Sequence, residues 1–149
     1  MNIAKKIEQY DNNSVILCDP IKNNIMSEGN FIRILYSSPY ITLNGIYIVV
    51  TLNNITCEKY FSKYRCFFNI LLHKDLLDKL QIIEENILSK YKPEHKIPQY
   101  KIYEQIKNGN IKIFNDVGNK SICSFILKIS GIWETQNNYG LTYKFIKIN

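Results

Sequence analysis

The stretch Cys123-Ser-Phe-Ile-Leu-Lys-Ile-Ser-Gly-Ile-Trp-Glu-Thr-Gln-Asn-Asn-Tyr-Gly-Leu-Thr-Tyr-Lys-Phe-Ile-Lys-Ile148 decides the fold of this chain. Phe125, Leu127, Ile129 and Trp133 share one parity. After a polar turn at 135–138, so do Tyr139, Leu141, Tyr143 and Phe145. Alternating β-branched and aromatic residues on both sides of a turn specify an antiparallel hairpin. Gly131 interrupts the first strand, where a missing side chain marks a bulge or a close backbone approach.

Upstream of this hairpin the β signals recur. Residues 15–18 and 31–36 read as strands and 21–30 as an Asn-rich loop. Asn44-Gly45 reads as a two-residue hairpin turn joining 40–43 to 46–52, because both residues tolerate positive φ. Residues 60–70 read as one long strand, 111–114 as a short strand and 116–120 as a loop. Residues 1–13 suit a short amphipathic helix. A long inserted helix is expected over 75–91, where Leu76, Leu80, Ile83, Ile87 and Tyr91 recur at helical spacing. Asp75 favours its positive end and Pro93 closes it. Residues 100–107 suit a second helix, with Pro98 before it and Gly109 just past its end. The alternative there is a strand paired with 111–114. This order predicts a mainly β chain, a β-barrel of OB-fold type with the long helix inserted. The rival is an α+β two-layer sheet packed on that helix.

At 149 residues the chain fits a single domain, 1–149, with its own core. A composition 46% hydrophobic and 21% charged excludes wholesale disorder. The formal net charge is +6, and every basic residue except Arg33 and Arg65 is lysine. A basic surplus favours a polyanionic partner. Heavy use of Ile, Asn, Lys and Tyr matches an AT-rich coding sequence, so lysine drift is the bland account of the same surplus. Cys18, Cys57, Cys66 and Cys123 show no Cys-x-x-Cys spacing, and residues 1–10 lack the apolar core of a secretory signal. Reduced thiols in an intracellular protein are therefore expected. No apolar run has the length of a membrane span, so no membrane partner is expected.

Catalytic signals are sparse. His73 and His95 fall at opposite ends of the long helix, too far apart for one site. There is no phosphate loop, nucleophile elbow or His-Glu-x-x-His motif. Asp19, Glu58, Asp116 and Glu134 are scattered and read as surface or turn residues. The cysteines read as buried thiols rather than zinc ligands. No catalytic residue, metal or cofactor is expected, and the chain reads as non-enzymatic.

The informative stretch is Lys59-Tyr60-Phe61-Ser62-Lys63-Tyr64-Arg65-Cys66-Phe67-Phe68. On one continuous strand, Lys59, Phe61, Lys63, Arg65 and Phe67 share a face. Cations that track phosphates, interleaved with rings that stack on unpaired bases, are what single-stranded nucleic acid requires. Arg33, Lys128 and Lys144 extend that surface, and Trp133 is a further stacking candidate. The competing reading is an aromatic core strand with lysines snorkelling at its edge.

The runs Leu-Lys-Ile-Ser-Gly-Ile-Trp-Glu-Thr (127–135) and Tyr-Gly-Leu-Thr-Tyr-Lys-Phe (139–145) resemble the closing hairpin of OB-fold single-stranded-DNA-binding proteins of large DNA viruses, of the nucleocytoplasmic and phage type. Gly131, Trp133, Gly140, Tyr143 and Lys144 carry the resemblance, which covers about the last quarter of the chain. It implies a viral protein of DNA replication or repair that coats exposed single-stranded DNA at replication sites in the host cytoplasm or nucleus. RNA is the other polymer such a surface takes. Many of the phage proteins end in an acidic tail, whereas this chain ends Phe-Ile-Lys-Ile-Asn, so tail-based recruitment is not implied. The alternative function is a viral structural or interaction module that self-associates as a homo-oligomer, or binds a protein partner, through the aromatic strand face.

Overall fold

A computed structural model of the chain describes residues 3–22, 29–114 and 122–148. The first half contains β1 (Lys5–Lys6), β2 (Val15–Leu17), β3 (Ile21–Lys22), β4 (Asn30–Ser37), β5 (Thr42–Leu43), β6 (Ile46–Asn53), β7 (Thr56–Tyr60) and β8 (Lys63–Phe67). The second half contains α1 (Lys74–Ser89), β9 (Ile97–Gln99), α2 (Lys101–Ile106), β10 (Asn110–Ile113), β11 (Ile122–Glu134) and β12 (Asn138–Lys147).

The expected hairpin is the spine of a nine-stranded sheet. Along one edge β11 pairs with β12. Along the other it pairs with β6 from Ile122 to Ile129, then with β4 from Gly131 to Glu134. The bulge expected at Gly131 lies between Ile129 and Gly131, where the partner changes. A Cβ at Gly131 would collide with the Ile32 carbonyl oxygen and lie 2.5 Å from the Phe31 ring. The extra residue also reverses the parity of the strand. Phe125, Leu127 and Ile129 are buried before it; Ile132 and Glu134 are buried after it. Trp133, expected on the side of Phe125, turns to the outer face instead, opposite Phe31 and Gly140.

The chain is mainly β, as expected, but the barrel is not formed. β7, β8 and β10 make a separate three-stranded sheet in the order β10-β8-β7, and neither sheet closes on itself. Because β11 takes β6 and β4 in succession along one edge, those strands lie end to end instead of curling round. The α+β layered alternative describes the result better. Gly45 does take positive φ (+111°), yet β5 pairs with β4 while β6 pairs with β1 and β11. Asn44-Gly45 is thus a corner between partners, not a hairpin turn. The expected N-terminal helix is replaced by β1 and two 3-10 turns, Ile7–Gln9 and Asn12–Ser14. The Asp11 carboxylate accepts from the Asn13 N–H at 3.0 Å, a local bond that competes with helix. Of the loop expected over 21–30, residues 21–22 form β3 and Asn30 opens β4, while 23–28 and the loop expected at 116–120 lie outside the described residues.

Both helices form where expected. Leu77, Leu80, Ile83, Glu84, Ile87 and Leu88 give α1 a buried stripe at helical spacing. Glu84, fully buried on α1, accepts from the N–H groups of Ile102 and Tyr103, each at 2.9 Å, and so caps the first turn of α2. One hydrophobic cluster joins Ile32 and Phe125 of the large sheet, Leu80 and Ile87 of α1, Ile102 and Ile106 of α2, and Cys66, Ile111 and Ile113 of the small sheet.

Candidate nucleic-acid interface

The basic–aromatic stretch folds differently from one long strand. Tyr60 pairs with Lys63, so Phe61-Ser62 is a two-residue turn between β7 and β8. Hairpin pairing sorts the side chains again. Cys57, Cys66 and Ile111 lie in one cross-strand row, and Lys59, Tyr64 and Ile113 in the next, on the face that meets the core. The opposite face carries the rows Thr56–Phe67–Asn110 and Glu58–Arg65–Lys112, and then the Tyr60–Lys63 pair. Lys63, Arg65 and Phe67 therefore share a face as expected. Lys59 leaves it, and Phe61 moves to the hairpin tip, 82% exposed.

This outer face forms one wall of a cleft of about 710 Å³, closed on the far side by α2 and the C-terminal half of β12. Lys63, Arg65, Lys101, Lys107, Lys112 and Lys144 line it against one acid, Glu104. Six cations and one carboxylate leave a local surplus of five, against +6 for the whole chain. Rings alternate with these charges. The Arg65 guanidinium lies 4.2 Å from the Tyr60 ring centre and Lys63 Nζ 5.6 Å from that of Phe114. Phe114 is 62% exposed at the cleft. Arg65 Nε is buried and has no hydrogen-bond acceptor. Opposite it, the Tyr143 hydroxyl lies 2.6 Å from Gln105 Oε1 and 3.2 Å from the Lys101 carbonyl oxygen. Burial, with the charges of Glu84 and Glu104, pushes its pKa up to about 12, so it stays a neutral part of the wall.

The remaining sequence candidates lie elsewhere. Arg33, Lys128 and Trp133 are on the outer face of the large sheet, in the rows Arg33–Gly131–Thr142, Tyr47–Lys128–Lys144 and Phe31–Trp133–Gly140. Lys144 belongs both to that face and to the cleft. The Trp133 ring lies over Gly140, where a Cβ would come within 2.7 Å of it. Sequence reasoning passed over Lys101, Lys107, Lys112 and Phe114. Lys112 and Phe114 were accessible to it, since they alternate with Ile111 and Ile113.

Other chemistry-bearing groups are occupied. His73 is buried; its Nε2 accepts from the Asn53 N–H at 2.9 Å and its Nδ1–H donates to the Asn69 carbonyl at 2.8 Å. Glu134, read from sequence as a surface residue, is buried and bonded to Asn30, Tyr91 and Lys96 at 2.9–3.0 Å. Burial alone would raise its pKa, but these three donors outweigh it and hold the carboxyl below its ordinary range. Among the described residues no three His, Cys, Asp or Glu side chains group as metal ligands, and no helix is long and apolar enough to cross a membrane. None of Cys18, Cys57, Cys66 and Cys123 is in a disulfide. No protein-family model, curated protein or solved structure matches the chain.

Proposed function

We propose that this protein binds single-stranded DNA without catalysing a reaction on it, and that the cleft between the small sheet, α2 and β12 is where the strand lies. The observation that carries this reading is the cleft's own composition: six cations, Arg65 among them, facing one carboxylate. Phosphate oxygens accept charge-assisted hydrogen bonds from such cations, and bonds of this type are among the strongest a protein makes. Exposed rings beside the cations, Phe114 on the wall and Phe61 at the hairpin tip, favour unpaired bases over duplex. Single-stranded RNA offers the same phosphates and ring faces. Service in viral replication or repair is the role that the hairpin resemblance implies.

The test is a mobility-shift comparison of single-stranded and duplex oligonucleotides of one sequence. The expected result is retention of the single strand at protein concentrations that leave the duplex free. Equal retention of both, or of neither, contradicts the proposal. In the latter case self-association or a protein partner becomes the better account of the exposed rings.

A further inference from the structure

A second cleft, of about 660 Å³, lies between the N-terminal segment and the β4–β5 corner, remote in character from the basic one. Its walls are largely apolar: Ile3, Ala4, Ile41, Leu43 and Val49, with Tyr36 alongside. β1 runs parallel to β6 with Lys5 beside Ile48, whose side chain is fully buried, so the Lys5 side chain is directed to the core side of the sheet edge. Its Nζ is buried and has no hydrogen-bond partner. What it has is the Tyr36 ring, 4.0 Å from Nζ to the ring centre. The polar groups of the rim bond to other partners and not to Lys5. The Gln9 side-chain oxygen accepts from the Lys6 N–H, the Ser38 hydroxyl donates to the Ile41 carbonyl, and the Tyr36 hydroxyl accepts from the Asp11 N–H.

An ammonium held out of water needs a counter-charge, and a ring face returns only part of the lost hydration. We infer that this cleft is a binding site for a small carboxylate with an aliphatic body, its acid group on Lys5 Nζ and its chain along Ile41 and Leu43. The volume lies in the range of small-molecule sites, whose usual composition is an apolar cleft with a few polar groups, here Lys5 with Lys6, Gln9 and Ser38. Burial lowers the pKa of the Lys5 amine, and a bound carboxylate opposes that shift.

A different use of the same lysine is to guard the sheet edge, since an inward-pointing charge discourages edge-to-edge pairing. Calorimetric titration of the full chain with octanoate and with octanol separates the two. The expected result is octanoate binding, with octanol weaker by roughly ten- to a hundredfold. Lys5→Met should lose the preference for the acid while melting no lower than the parent, because it removes an unpaired buried charge. Lys63→Ala/Lys112→Ala should bind octanoate as the parent does, which distinguishes this cleft from the basic one. Equal affinity for acid and alcohol in the parent, or no octanoate binding at millimolar concentration, overturns the inference without relying on any variant. So does a Lys5→Met protein that still prefers the acid.

Discussion

Phe61 occupies a backbone position that most side chains avoid. Its φ is +55°, in a two-residue turn that ordinarily takes glycine or asparagine there, and its ring is 82% exposed. The fold receives little for this, chiefly an edge-on contact with Tyr60 at 4.6 Å between ring centres. Phe61→Gly should therefore leave the melting temperature unchanged or raise it, through relief of about 0.5–1 kcal/mol of strain. The same change should weaken single-strand binding by about 1–3 kcal/mol if the ring stacks on a base. Calorimetric melting read beside fluorescence-anisotropy binding checks both halves. At this scale the sequence was readable where a residue's type constrains its place, as at Gly131. It was not where neighbours decide: nothing local distinguishes Glu134, buried with three hydrogen-bond partners, from a surface carboxylate.

Between elements, the Glu84 cap links α1 to α2, and α2 carries Lys101 and Lys107 into the cleft. Burial raises the Glu84 carboxyl to about 7 from an ordinary 4.5; the Ile102 and Tyr103 N–H groups oppose that rise, and Glu104 and Glu85 add to it. A pKa raised by folding means that the folded state holds the proton more tightly. Stability from this group is then fully present below about pH 4.5 and declines as pH rises through about 7. Urea denaturation across that window should show a loss of roughly 2 kcal/mol, and Glu84→Gln should flatten it. Glu134 works in the opposite sense, losing its contribution as pH falls below the carboxylate range. Element type was legible because α1 and the β11–β12 hairpin repeat one period over many residues. The β7–β8 turn was not, because Phe61-Ser62 lacks turn chemistry. Reading through it as strand put Lys59 and Phe61 on a face they do not share with Lys63.

At the scale of the molecule, strand order was the part hidden from sequence. Alternation assigns each strand an inner and an outer face, but not which edge it pairs with. A bulge of one residue lets β11 exchange β6 for β4, so an open sheet layered on helices forms where a barrel was expected. That layering brings β8, β10, α2 and β12 around one basic cleft. The most direct test is the salt dependence of single-stranded DNA binding by the parent and by a Lys63→Ala/Arg65→Ala/Lys112→Ala variant. Each phosphate neutralised on a single strand contributes about 0.7 to the slope of log affinity against log salt, so the variant's slope should be shallower by roughly two. A variant that melts like the parent and keeps the parent's slope would contradict the assignment of the cleft as the nucleic-acid interface.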